Sequence, residues 1–191
     1  NLRIGENAGD AIASGGNYNT VVGDEAGTAI TTGDQNTFVG YASGDAETTG
    51  GENTAVGYGS LGSDTTGSRA TAVGRNALAT QNLTAELNSY NTAFGWSAGE
   101  AVTTGIRNTL IGGSAGDALT DADNNTALGY AALGADTKGS RSVAIGFQAL
   151  ATQNFTSATD SNNVAIGYDS GYSVTTGTSN TLIGTNAGDN I

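Results

Sequence analysis

Apolar residues recur along this chain in short groups, and each group ends at a glycine that is followed by a longer polar stretch. These glycines recur at a nearly constant 17-residue spacing, as from Gly23 to Gly40. The series, called the marker glycines below, is Gly5, Gly23, Gly40, Gly57, Gly74, Gly95, Gly112, Gly129, Gly146, Gly167 and Gly184. The residue directly before each marker is apolar and mostly β-branched, which is typical of a strand. The pattern therefore predicts a short strand before every marker glycine.

The spacing of the markers defines a repeat. The first step is longer than the others by one position, and the steps that end at Gly95 and Gly167 are longer by four. From Gly23 onward, markers four steps apart keep a 72-residue spacing, which defines a super-repeat of four coils. A 17-residue unit is too short for a helical hairpin, and abundant glycine and threonine oppose helices.

These spacings predict the fold class. We expect an all-β chain: a parallel β-solenoid, or β-roll, of about eleven coils that stack about 4.8 Å apart. It forms one repeat domain over residues 1–191 and, because it opens in mid-pattern, is expected to be a piece of a longer fibre.

Alignment of the coils places equivalent residues in columns along the rod. The residue before the marker predicts an interior column that contains Val56, Val73, Ile111 and Ile145. The residue two positions before the marker is mostly apolar as well, so both faces of the strand are expected to be buried. The second face is buried either against a neighbouring chain, as in a homotrimer, or in a core that bends at the glycine. The residue three positions after the marker is always small, which indicates close packing.

Composition narrows the range of partners. Glycine accounts for 31 of 191 residues, charged residues for only 13%, and proline, cysteine, methionine and histidine are absent. The absence of proline fits coils that must all donate ladder hydrogen bonds, and asparagine columns such as Asn36 and Asn53 are expected to form stacked amide ladders. The net charge of −12 argues against nucleic acid or an anionic membrane as a partner. No apolar run is long enough for membrane insertion.

Residues suited to catalysis are scarce. Without histidine or cysteine no standard catalytic triad can form, so we expect no enzyme, no catalytic residue and no cofactor. Acids recur after the small-residue column, at Asp10, Asp45, Glu100, Asp117 and Asp189. Stacked carboxylates can bind Ca²⁺ or act as an acid–base pair. Adjacent coils often lack the acid, so we expect solvated corner charges and no metal site.

Three surface features are candidates for contacts. Aromatic residues follow the marker in six coils, at Tyr41, Tyr58, Trp96, Tyr130, Phe147 and Tyr168. Pointing outward they can stack on sugar rings, and pointing inward they pack in the core or at an interface. N-glycosylation sequons occur at Asn82, Asn124 and Asn154, of which the first and third fall within the four-residue insertions. Paired threonines, as at Thr31 and Thr48, resemble the arrays of ice-binding solenoids, although the following glycine indicates a turn.

The repeat also resembles known fibre families. Ser142-Val143-Ala144-Ile145-Gly146-Phe147-Gln148-Ala149-Leu150-Ala151 resembles repeats in the heads of trimeric autotransporter adhesins. Asn125-Thr126-Ala127-Leu128-Gly129-Tyr130-Ala131-Ala132-Leu133 is similar to repeats of phage-type tail fibres and related bacterial surface fibres. The resemblance covers nearly the whole chain and implies a homotrimeric β-roll that is extracellular, on a cell surface or in a virion fibre.

We therefore expect a structural or adhesive extracellular fibre whose repetitive surface attaches to glycans or cells. Its expected partners are identical chains and cell-surface glycans. The alternatives are a purely architectural filament that assembles end to end and an ice-binding β-solenoid.

Overall fold

The computed structural model describes residues 1–189, in which all strands are parallel and no helix occurs. The strands are β1 (Leu2–Ile4), β2 (Thr20–Val22), β3 (Thr37–Val39), β4 (Thr54–Val56), β5 (Thr71–Val73), β6 (Thr92–Phe94), β7 (Thr109–Ile111), β8 (Thr126–Leu128), β9 (Gly139–Ser140), β10 (Val143–Ile145), β11 (Thr159–Asp160), β12 (Val164–Ile166) and β13 (Thr181–Ile183). Eleven of them form one sheet in which each strand pairs with the strand one coil away, and β9 pairs with β11 in a separate small sheet. The predicted parallel β-solenoid of about eleven coils is confirmed.

The two longer steps leave the sheet undisturbed. β5 pairs with β6, and β10 with β12, in the same register as coils without an insertion. The extra residues instead project from the coil, so that residues 84–88 and 156–158 are exposed. Each loop is anchored by one apolar side chain, Leu83 in the first and Phe155 in the second, both buried.

The three residues of most strands in the long sheet alternate between the interior and the outside. In β4 the middle residue Ala55 is completely buried, whereas Thr54 and Val56 are half-buried. The prediction of an interior column of Val56, Val73, Ile111 and Ile145 is therefore wrong, because these residues lie on the outside of the sheet. The interior column contains the residues two before the marker: Val21, Phe38, Ala55, Ala72, Ala93, Leu110, Ala127, Ala144 and Ala165. Side chains alternate across a strand, so one of the two apolar columns had to face outward.

Two of the interior columns compensate each other in volume. One is the mid-strand column, and the other lies four residues after the marker and holds either leucine or glycine. Where the mid-strand residue is large, as at Phe38, the second column has Gly44, and a Cβ atom there would lie 2.5 Å from the phenyl ring. Where the mid-strand residue is Ala55, the second column supplies the buried Leu61. Large and small residues thus alternate between the columns, which keeps the interior filled.

Some coils are small in both columns and are filled by their neighbours. Ala93 and Gly99 belong to one coil, and a Cβ atom on Gly99 would lie 2.6 Å from Leu110 and 3.0 Å from Leu78 in the adjacent coils. The equivalent coil of the next super-repeat, which contains Gly171, has the same arrangement. The interior is therefore balanced over four coils, which is the length of the super-repeat.

Buried asparagines link each coil to the next. Asn36 donates from Nδ2 to the carbonyl oxygen of Gly50 at 2.9 Å, and its Oδ1 accepts from the backbone N–H of Asn53 at 3.0 Å. The same pair of bonds is made by Asn19, Asn53, Asn91, Asn108, Asn125 and Asn163. The predicted asparagine ladder is present, but it runs mainly from side chain to backbone; a direct amide-to-amide bond joins Asn180 to Asn163.

Exchange of two interior residues within one coil tests the volume balance. Phe38→Ala removes a buried ring and should cost about 3–5 kcal/mol of unfolding free energy. Gly44→Leu forces a side chain against that ring and should cost about 1–3 kcal/mol. The double variant reproduces the Ala55 and Leu61 pair of the next coil, where leucine adopts the same positive φ (52°, against 58° at Gly44), so most of the loss should be recovered.

Denaturant unfolding of the four proteins gives the coupling free energy between the two positions. Losses that simply add in the double variant would show that the two columns do not compensate each other.

Candidate binding surface

Two columns of outward-pointing residues form what we call the outer sheet face. The first residue of each strand of the long sheet is threonine in most coils, and the third is the apolar residue before the marker. None of these residues is charged, although the chain carries 18 acidic and 6 basic residues. Exposure along the apolar column ranges from half-buried Val56 to Ile183, which is 68% exposed. The outer sheet face is thus an uncharged, partly apolar surface that follows the whole rod.

The six candidate aromatic residues form a column beside this face. Tyr41, Tyr58, Trp96, Tyr130, Phe147 and Tyr168 are all exposed, each by 40–55%. They lie just after the marker glycines, where the strands have ended. The column therefore points outward and contributes nothing to the interior of its own chain.

Neighbouring rings in this column stack on one another. The ring centroids are 5.4 Å apart for Tyr41 and Tyr58, 5.5 Å for Tyr130 and Phe147, and 5.2 Å for Phe147 and Tyr168, with interplanar angles of 20° or less. Ring faces cover each other within these stacks, so the edges are turned to solvent. A sugar that binds by stacking needs a free ring face, and such faces occur only where the column is interrupted.

Charged residues border part of the column. The guanidinium group of Arg75 lies 5.3 Å from the centroid of the Tyr58 ring and covers one end of that stack. At the other end, the Glu25 carboxylate raises the pKa of the Tyr41 phenol by accepting its hydrogen bond.

The paired threonines lie at the corner of the coil and bond to the backbone. The hydroxyl of Thr31 donates to the carbonyl oxygen of Thr48 at 3.0 Å, and that of Thr48 donates to Thr65 at 2.6 Å. These hydroxyl groups thus donate hydrogen bonds to the next coil, which makes this column less suitable for ordering water than an array of free threonine hydroxyls.

The three sequon asparagines differ in accessibility. Asn124 and Asn154 are exposed, whereas Asn82 is half-buried. Asn82 Oδ1 accepts from the Thr65 hydroxyl at 3.1 Å, and Asn154 Oδ1 accepts from the Thr137 hydroxyl at 3.2 Å. Asn124 and Asn154 thus meet the exposure that glycan attachment requires.

The corner acids do not gather into a cluster of three. Asp45 and Asp117 are half-buried, and burial raises the pKa of both carboxyl groups. Within residues 1–189 no three acidic side chains lie close enough together to hold a metal ion.

Three other carboxyl groups, which sequence reasoning missed, lie inside the rod. Glu47, Asp64 and Asp136 are completely buried, in the column seven residues after the marker. In other coils the same column holds apolar residues such as Ile30, Val102 and Leu119, or the buried amides Gln81 and Gln153. The signal was available in the sequence as acids in a column whose other members are apolar or uncharged.

Asp64 and Asp136 hold the bases of the two insertions. Asp64 Oδ1 accepts from the backbone N–H groups of Gly67 and Leu83 at 3.0 and 3.2 Å, and its Oδ2 accepts from Gln81 Nε2 at 2.6 Å. The equivalent bonds to Asp136 come from Gly139, Phe155 and Gln153. Both carboxyl groups therefore fix the point where a four-residue insertion leaves the coil.

Glu47 also accepts three hydrogen bonds, and it sits in the coil next to Asp64. Its carboxyl group accepts from the backbone N–H groups of Gly50 at 2.7 Å and Thr48 at 3.1 Å, and from Asn53 Nδ2 at 3.2 Å. Burial, reinforced by the negative charge of Asp64, raises the pKa of Glu47 to about 8. Glu47 is therefore mostly protonated at neutral pH.

Comparisons with protein-family models, curated protein sequences and solved structures find no match to this chain. Residues 1–189 contain no helical stretch with the length and hydrophobicity of a transmembrane span.

Replacement of Glu47 should make the rod less sensitive to pH. A carboxyl group whose pKa is raised by folding stabilises the native state below its unfolded pKa of about 4.5, and this stabilisation is lost as the pH rises to about 8. The loss is at most about 5 kcal/mol. We expect Glu47→Gln to gain stability relative to the unmodified chain across this window, as measured by denaturant unfolding at several pH values.

Glu52→Gln is the matched control, because the neighbouring Arg69 lowers the pKa of the exposed Glu52. Its loss should have a small effect of opposite sign, with stability reduced above the unfolded pKa. Parallel curves for Glu47→Gln and the unmodified chain would mean that Glu47 is ionised in the folded rod.

Proposed function

We propose that this chain is the rigid rod of an extracellular fibre, that its outer sheet face packs against identical chains, and that the adjoining aromatic column contacts cell-surface glycans. The observation that carries the proposal is the outer sheet face, where eleven aligned strands leave an uncharged, partly apolar surface open to solvent.

The length and bonding of the solenoid suit a fibre. Ten steps of about 4.8 Å make a rod on the order of 50 Å long. Each coil is held to the next by strand pairing and by the asparagine ladder. A rod bonded in this way holds its surface columns in fixed register and acts as a stiff spacer.

The size of the outer sheet face favours a protein partner. Outward residues two positions apart are about 6.6 Å from each other, so the face with its aromatic border is about 13 Å wide and roughly 650 Å² in area. A standard protein interface takes about 800 Å² from each partner, which the area of this face approaches. The centres of interfaces are also depleted of charge, as this face is.

A surface that repeats along the rod is well matched by a second copy of the same rod. Most coils offer the same threonine and all offer an apolar residue, so an identical chain finds equivalent contacts at each step. Closed symmetric assemblies use this kind of self-complementarity. The aromatic column forms the rim of this contact, where the side of the rings that points away from the partner stays accessible.

Ice binding is a second candidate, and one feature of the outer sheet face favours it. Thr54 and Val56 recur in register along the sheet, which gives a regular array of hydroxyl and methyl groups at about 4.8 Å spacing. Thermal hysteresis of the purified chain tests this function directly.

Lysines placed on the outer sheet face should dissociate the oligomer. In Val39→Lys with Val73→Lys, two charges lie two coils apart on the face, and burying them unpaired against a partner is unfavourable. Sedimentation velocity should show an oligomer for the unmodified chain and a monomer for the variant, with unchanged circular dichroism. Thr49→Lys with Thr104→Lys, at exposed corners, should keep the oligomer.

A monomer at every concentration of the unmodified chain would contradict self-association through this face. Electron micrographs of long filaments, unaffected by the two face lysines, would favour the architectural filament.

A further inference from the structure

The aromatic column is interrupted at two positions with a ring on each side, Arg75 and Gly113. The Arg75 guanidinium group covers the Tyr58 ring, whereas Gly113 brings no side chain. Trp96 and Tyr130 lie two coils apart, and the coil between them has Gly113 at the equivalent position. Tyr130 is stacked on Phe147 on its far side, so its near face is turned towards Gly113. We call the space above Gly113, between the rings of Trp96 and Tyr130, the ring notch.

The backbone does not require glycine at this position. The preceding marker Gly112 has φ = 131°, whereas Gly113 is not among the residues with positive φ. A Cβ atom on Gly113 would lie 3.4 Å from Tyr130 Cδ2 and meet nothing nearer. A side chain would therefore fit, and six other coils carry an aromatic ring here. The glycine leaves an opening in the column without relieving any strain.

In the apolar column of the outer sheet face, the residue of the same coil is less exposed than its neighbours. Phe94 and Leu128 are 57% and 44% exposed, whereas Ile111 between them is half-buried. The side of the ring notch that adjoins the outer sheet face is therefore apolar, with Ile111 between the more exposed Phe94 and Leu128.

The width of the notch matches a sugar ring. Two coil steps place the walls about 9.6 Å apart. A flat ring in contact with both walls needs about 7–8 Å, from two carbon contacts of 3.5–4.0 Å. A pyranose chair is thicker, since its carbons lie alternately above and below the mean plane and carry axial hydrogens.

We infer that the ring notch binds one pyranose ring of a glycan, sandwiched between Trp96 and Tyr130. The class of sugar follows from the walls: both faces of the ring must be apolar, which requires equatorial hydroxyl groups, as in gluco-configured β-linked chains. The inference rests on the glycan-binding part of the proposed function and is independent of self-association.

A substitution at Gly113 can fill the ring notch, and the fluorescence of Trp96 can report whether a ligand occupies it. Gly113→Tyr completes the aromatic column with a residue type that other coils already have. Asp24→Tyr is the matched control, since it adds a ring to the same column beside Tyr41 and leaves the notch open. Trp96 is the single tryptophan of the chain, so its fluorescence reports on one wall of the notch.

The experiment titrates the full chain with cellohexaose and with chitohexaose, and binding is followed by Trp96 fluorescence and by calorimetry. We expect saturable binding of at least one of them to the unmodified chain and to Asp24→Tyr. Gly113→Tyr should abolish binding, and Tyr130→Ala should weaken it about tenfold, which corresponds to one aromatic contact. Thermal melting and sedimentation of each variant show whether the rod and its assembly are intact.

The outcomes separate this inference from the wider proposal. Equal binding by Gly113→Tyr and the unmodified chain would overturn the notch and leave glycan attachment elsewhere on the rod. Binding of neither sugar by an intact oligomer would overturn the notch together with the glycan contact and leave the structural function standing. Binding of indole in preference to both sugars would overturn the assignment to a pyranose.

Discussion

Each coil of this rod must approach the next at a point where no side chain fits. A Cβ atom on Gly57 would lie 2.6 Å from the carbonyl oxygen of Gly74, and the backbone there has φ = 133°. The same approach recurs at the other marker glycines up to Gly167. Because the chain passes the adjacent coil so closely at one fixed place, the strands just before the glycine are held in register and can pair. The strands, the asparagine ladder and the surface columns all depend on that contact.

The narrow cross-section of the coil explains the rest of the interior. A 17-residue coil encloses little space, so the mid-strand column and the column four residues after the marker alternate in size. It also leaves little room for unbonded polar groups, and backbone carbonyls at the corners are satisfied by buried amides such as Asn36. Buried acids occur where the corner changes: Asp64 and Asp136 receive the backbone N–H groups of the insertions. The price of such burial is visible at Glu47, which keeps its proton near neutral pH.

Sequence spacing was enough to predict the coils, their register and the close packing of the small-residue column. It was not enough to tell the inside of the strand from the outside. Ala55 and Val56 are both apolar, and the larger, more hydrophobic residue lies outside because the interior has room only for alanine when Leu61 is opposite. The buried state of Glu47 depends on its column, which is evident only once the coils are aligned. The outward direction of the aromatic column and the stacking of ring on ring depend on how the backbone turns after the marker, which the spacing of residues does not reveal.

The sharing of interior volume between adjacent coils bears on how such a chain can lengthen. A coil such as the one with Ala93 and Gly99 fills this part of its interior only with Val102 and takes leucines from both neighbouring coils. Duplication of that coil would leave an empty space, whereas duplication of a 72-residue block would carry its own packing, one insertion and the acid that secures it. The heritable module of this protein is therefore the four-coil block. Rods of different length can arise by recombination between blocks without any change in the packing of interior side chains.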